Sequence, residues 1–189
     1  VYAVLGWNST PEPAPEPKPS GKGWLLFTIG LSIAFFLFVC AWTVGRFYTF
    51  STPSFDFGIF SQLFYYMKTS GLPMTTIERD GLLSHFAVHV SPIYYVLLRF
   101  YILVPQPATL QVLQAAVLTS AVIPLWLLGK HHGLSGGERT LLCAALLLFP
   151  AFSGGTSYDI HENCFLTPLL FWLFYGIDRR STPVTAVSA

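Results

Sequence analysis

Residues 24–45 read WLLFTIGLSIAFFLFVCAWTVG, 22 positions without a charge, with Lys22 before them and Arg46 directly after. An α-helix rises about 1.5 Å per residue, so a run of this length crosses the roughly 30 Å hydrocarbon layer of a bilayer. The stretch predicts a transmembrane helix, and the composition of the whole chain agrees. Of 189 residues, 53% are hydrophobic, 16% aromatic and 10% charged, where an ordinary soluble domain carries roughly 25% charged residues. Mean hydropathy is +0.57. These values exclude a soluble globular protein and predict an all-α, multi-span helical membrane protein. A formal net charge of +1 leaves no basic face to follow a phosphate backbone, which excludes nucleic acid as a partner and leaves membrane lipids. Cys40, Cys143 and Cys164 lie in or beside apolar runs without metal-like spacing and read as packing residues.

Outward from that first span, residues 108–129 form a second uncharged run of 22 residues, closed by Lys130, His131 and His132. Residues 140–158 are uncharged over 19 positions, and Pro150 with Gly154 and Gly155 predicts that the helix ends before the polar stretch 153–163, giving a span over 140–153. Residues 164–177 are apolar for 14 positions before Asp178, Arg179 and Arg180, and span only with polar ends or a thinned bilayer. Residues 91–104 (SPIYYVLLRFYILV) are short and carry Arg99 in their middle. Charge bias decides their reading. If they do not cross, Lys18 and Lys22, Lys130 and Arg139, and Arg179 and Arg180 all face the cytoplasm; if they cross, the bias disappears.

The resulting plan has a preceding segment and Pro-rich linker at 1–23, a membrane domain at 24–180 with four spans, and a tail at 181–189. Val1 in place of Met, and the apolar start 1–7, predict the end of an earlier span; STPEPAPEPKPSGKG at 9–23 predicts an extended tether. Residues 46–107 form one large external segment, and 153–163 a second external loop. That topology gathers Asp56, His85, His89, Asp159, His161 and Glu162 on the external face of a cell membrane.

Within the first external segment, Phe60, Leu63, Phe64 and Met67 recur at three- and four-residue offsets, the stripe of an amphipathic helix lying on a membrane or a bundle. Asp56, just after Pro53-Ser54, suits either a first-turn residue that stabilises free backbone N–H groups, or a carboxylate above the bilayer that takes a proton, a cation or an acceptor hydroxyl. His85 and His89 are four apart, one face of a helix if that stretch is helical. Such a pair without a third ligand nearby is weak evidence for metal, and His85 reads as structural or interfacial. Tyr94 and Tyr95 suit the membrane interface. In the second loop, YDIHEN at 158–163 concentrates two acids and a histidine between apolar runs. Ionisable groups there are solvated, paired or used. His131 and His132, beside Lys130, read as topology or headgroup contacts.

The order of these motifs is a resemblance in itself. A span, FDFGIF at 55–60, HVSPI at 89–93, a basic inner loop, and DIHEN at 159–163 followed by Pro168, Leu169 and Leu170 together resemble a DUF family of prokaryotic predicted membrane proteins grouped with the GT-C glycosyltransferases. The resemblance covers about residues 24–177 and implies a GT-C-like N-terminal portion with external interfacial helices, completed by further spans. It implies transfer of a sugar from a polyprenyl-phosphate carrier at the external face, with inversion at the anomeric carbon. Asp56 then matches the acid of the first external loop, as base for the acceptor hydroxyl or as holder of a divalent metal cation. Asp159 and Glu162 match the later acids, and His89 and His161 line the same site as substrate-binding residues. Glu162 directly follows His161 and Asn163 takes the next place, a departure from the family's spacing.

Two other functions are open on the residues alone: a non-catalytic protein that binds or transports a lipid-linked sugar, and a structural membrane subunit. None of the four apolar runs contains an acid, which counts against ion-coupled transport. No nucleotide-binding loop, nucleophile elbow or metalloprotease motif occurs in the sequence.

Overall fold

The computed structural model describes residues 21–188. The linker and preceding segment expected over 1–20 lie outside the described residues. Among the described residues the fold is all-α apart from one two-stranded hairpin. Helices α1 (Lys22–Tyr48) and α2 (Ser54–Ser70) are followed by strands β1 (Met74–Thr75) and β2 (Leu83–Ser84) and a 3-10 turn at His85–Ala87. Then come α3 (Ile93–Tyr101), α4 (Pro107–Thr119), α5 (Val122–His131), α6 (Gly136–Leu148), α7 (Pro150–Ser157), a 3-10 turn at Glu162–Phe165, α8 (Leu166–Asp178) and α9 (Thr182–Ser188).

Helix α1 turns its large apolar residues outward. Leu26, Phe27, Leu37 and Phe38 are all more than half exposed, the surface expected of a helix whose solvent is lipid. Its polar residues are satisfied within the protein: Thr28 Oγ1 donates to Trp24 O at 2.9 Å, and Thr43 Oγ1 to Val39 O at 2.8 Å. The 27-residue α1 and the 25-residue stretch Pro107–His131 are each long and apolar enough to cross a membrane, and α6 with α7 makes a third if that bent pair is one span.

Two prolines explain the interruptions. Pro124 has no N–H to give to Ser120 O, which accepts from Ile123 N at 2.9 Å instead, and α4 passes into α5 at that point. Phe149, preceding Pro150, is extended (φ −65°, ψ 123°), as the proline ring requires of the residue before it. Pro150 then opens α7, where a missing N–H costs nothing. The sequence reading placed the end of the helix before residue 153; the structure corrects this, since a second helix runs on to Ser157 with Gly154 and Gly155 inside it. The apolar run 164–177 yields the 13-residue α8.

The chain divides into two compact units, residues 21–35, 119–152 and 166–188 in the first and 36–118 with 153–165 in the second. In the first, α8 packs on α5 and α9, and α5 on α6. Ser135 caps α6 in a capping box with Glu138. Gly176 lies so close to α9 that a Cβ there would meet Thr185 N at 2.8 Å.

The second unit has a continuous apolar core. Phe57, Phe60, Leu63, Phe64 and Met67 of α2 meet Tyr94, Leu97 and Tyr101 of α3, with Leu110, Ile160 and Phe165. The stripe on α2 thus packs on a bundle, and α2 ends at Gly71, whose left-handed φ of 77° lets its N–H reach Met67 O. Helix α3 has nine residues, about 14 Å of rise and under half a bilayer core. Tyr95 is partly exposed on it, but Tyr94 is fully buried; the interfacial role expected of both tyrosines fails for Tyr94, which faces α2 instead. The hairpin docks on α2 through Gln62, whose Oε1 accepts from Thr75 Oγ1 at 2.9 Å and Thr76 N at 2.8 Å.

Candidate functional site

The second unit carries every site residue singled out in the sequence. Asp56 lies in the first turn of α2, where the helix dipole favours a carboxylate. Its Oδ2 also accepts a hydrogen bond from Tyr158 Oη at 3.3 Å. Tyr158 immediately follows α7 and precedes Asp159, whose side chain is completely buried.

Burial of a carboxylate without partners is costly, and α4 supplies the partner. Gln111 Nε2 donates to Asp159 Oδ1 at 2.7 Å. One turn on, Gln114 Nε2 donates to Tyr158 O at 3.2 Å and its Oε1 accepts from His161 N at 2.7 Å. Arg46, at the end of α1, donates to Ser157 O at 3.0 Å and brings Nη2 to 3.7 Å from Asp159 Oδ2. Burial raises the Asp159 pKa above the ordinary carboxylate range; Gln111 and then Arg46 pull it down, and Asp56 pushes it up. Asp159 Oδ2 and Gln111 Oε1 are both buried without a hydrogen-bond partner.

Glu162 and His161 lie farther along the same loop, with His161 Nδ1 at 3.5 Å from Glu162 Oε2. The His161 ring stands edge-on to Phe60 at 6.0 Å. His89 is exposed, its ring 5.8 Å from that of His85. His85 is 2% exposed and its Nδ1 meets Glu78 Oε2 at 2.8 Å. Asp56 and Asp159 are therefore brought to one cluster through Tyr158 and Arg46, while Glu162 with His161, and His89 with His85, form neighbouring groups. Among the described residues no three His, Cys, Asp or Glu side chains are arranged to hold a metal ion.

The sequence reading passed over Arg46, Gln111, Gln114, Tyr158 and Glu78. Arg46 counted there only as a flanking charge. The two glutamines, three apart in an otherwise apolar run, were the available signal, since amides in a span need partners.

Among known protein families, a model described as "Predicted membrane protein (DUF2079)" matches residues 46–189. No curated protein and no solved structure matches the chain.

Proposed function

The chain belongs to the DUF2079 family of predicted membrane proteins, and from that premise we propose that it transfers a sugar from a polyprenyl-phosphate carrier, in the manner of the GT-C glycosyltransferases its motifs resemble. The observation that carries this reading is the contact between Tyr158 Oη and Asp56 Oδ2, which ties the first turn of α2 to the loop that carries Asp159, 102 residues on in the sequence. In this reading Asp56 takes the proton of the acceptor hydroxyl as its oxygen bonds to the anomeric carbon. The bond to the carrier phosphate breaks on the opposite side and the phosphate leaves with the electron pair, inverting the centre.

Arg46, whose Nη2 lies 3.7 Å from Asp159 Oδ2, supplies positive charge for that leaving phosphate. Asp159 holds Arg46, Glu162 and His161 contact the sugar, and His89 lies at the rim. In this reading the chain crosses the cell membrane four times and these groups lie at its external face.

The test is turnover of a radiolabelled polyprenyl-phosphate sugar by the full-length protein in proteoliposomes. Asp56→Asn is expected to lower transfer at least about a hundredfold at unchanged abundance in the membrane. Retention of the labelled lipid without turnover by the wild type would favour a binding or transport protein instead.

A further inference from the structure

The whole-chain charge of +1 is unevenly divided. Among the described residues the second unit carries four Lys and Arg against five Asp and Glu, whereas the first carries Lys22, Lys130, Arg139, Arg179 and Arg180 against Glu138 and Asp178 alone. The first unit gathers the helix ends that bear these groups. Lys130 lies in the last turn of α5, and the short turn after it leads into α6, whose opening residues include Glu138 and Arg139. The end of α8 is tied to the same turn, because Asp178 Oδ2 meets His132 Nε2 at 2.6 Å. The start of α1 joins them: Trp24 O accepts from Thr140 Oγ1 at 3.4 Å, and the Trp24 ring lies 3.5 Å from where a Cβ of Gly137 would stand.

Both acids at this end are engaged, Asp178 with His132 and Glu138 through Oε2, which accepts from Ser135 N at 2.7 Å. Arg139 has no such match. It is 4% exposed, its stem runs over Gly129, where a Cβ would stand 2.9 Å from Arg139 Cγ, and its guanidinium lies 4.5 Å from the centroid of the Trp126 ring. Its Nε donates to Ser135 O at 3.3 Å, and among the described residues no carboxylate pairs with it. A ring face and one carbonyl offset only part of the cost of burying a cation; a neighbouring anion offsets more.

The surroundings specify an anion with an apolar tail. Ile123, Trp126 and Lys130 follow at offsets of three and four along one face of α5. Ile123 is more than half exposed and Lys130 is exposed at the helix end. A cationic group thus terminates an open apolar strip, at one end of a 25-residue stretch long enough to cross a membrane. A soluble phosphate would use the cations and leave the strip bare. A phospholipid uses both, and an anionic one also meets the excess positive charge.

We propose that Lys130, Arg139, Trp126 and Ile123 form a seat for one anionic phospholipid. Lys130 meets its phosphate, Arg139, packed on the adjacent Gly129, adds a second positive charge, and an acyl chain lies along Trp126 and Ile123.

The experiment uses the full-length protein in phosphatidylcholine nanodiscs that carry a small fraction of photoreactive lipid. The probes are phosphatidylglycerol and phosphatidylcholine with the same diazirine-bearing acyl chain, and labelled peptides are mapped by mass spectrometry. At equal mole fraction the phosphatidylglycerol probe is expected to label residues 119–140 about tenfold more than the phosphatidylcholine probe. Lys130→Gln and Arg139→Gln should each lower that preference about fivefold, and Arg99→Gln, in the second unit, should leave it unchanged. Melting temperatures measured alongside show whether each variant is folded; Lys130, being exposed, serves if Arg139→Gln is not. Equal labelling by the two headgroups, or a preference unchanged in both Lys130→Gln and Arg139→Gln, would overturn the seat. A preference that falls equally in Arg99→Gln would overturn it in favour of diffuse charge, and displacement of the phosphatidylglycerol probe by excess inorganic phosphate would overturn it in favour of a soluble anion.

Discussion

Gln111 donates a 2.7 Å hydrogen bond to Asp159, and both residues are almost wholly buried. This bond answers the desolvation of the carboxyl group. Replacing Gln111 by Leu keeps a similar volume and removes the donor, so the variant is expected to lose about 2 kcal/mol of stability. Thermal unfolding in nanodiscs measures it, and a melting temperature equal to the wild type would show that Asp159 finds another partner.

Asp159 also gives the protein a pH dependence with a definite sign. Burial raises its folded pKa above an unfolded value near about 3.9, so the folded state holds the proton more tightly. The resulting stabilisation is fully present below the unfolded value and is lost as pH rises through the folded one. Melting temperature should fall across the interval just above pH ~4 in the wild type, and Asp159→Asn should remove that part of the slope. An unchanged slope in the variant assigns the dependence to another group.

Tyr158→Phe separates geometry from stability. Its hydroxyl bond to Asp56 is exposed and 3.3 Å long, so folding should change by less than about 1 kcal/mol. Transfer of the labelled sugar should nevertheless fall about tenfold, because Asp56 loses the contact that orients it. Full transfer by Tyr158→Phe would assign the orientation of Asp56 to α2 alone.

Gly176 tests the packing of the first unit. A methyl group there would stand 2.8 Å from both the backbone nitrogen and Oγ1 of Thr185. Gly176→Ala is expected to cost about 1–3 kcal/mol through displacement of α9, read as a lower melting temperature. A melting temperature at or above the wild-type value would show that α9 shifts without cost.

Topology is tested with single reporter cysteines at Ser84, Ser135 and Ser157, in a background lacking Cys40, Cys143 and Cys164. A membrane-impermeant thiol reagent should label Ser84→Cys and Ser157→Cys from outside intact cells and leave Ser135→Cys unlabelled. Labelling of Ser84→Cys and Ser157→Cys from opposite sides would separate Asp56 from Asp159 and end the shared-site mechanism.

What the sequence revealed depended on the range of each interaction. Helix α1 was legible because a run of uncharged residues has one stable form in a bilayer, and the α2 stripe because offsets of three and four repeat along one helical face. Neither signal says what lies opposite. Tyr94 and Tyr95 are equivalent in composition, and only the helical phase fixed by α2 sends one into the core and leaves the other partly exposed. Gln111 and Gln114 were hidden inside a run judged by its lack of charge, although their amides hold residues more than 40 positions away. Pro150 was recognised as an interruption, but a proline at a first helical turn starts a helix as readily as it ends one.

The two glutamines sit one turn apart on the same helix, so the loop from Tyr158 to His161 inherits the angular phase of α4. Each residue of an α-helix advances the face by about 100°. A single residue inserted between Gln111 and Gln114 would swing one amide about a quarter-turn or more away from the other, so the loop could keep its grip at Asp159 or at His161, but not at both. Point substitutions weaken these holds one at a time; a change of register would uncouple them from each other.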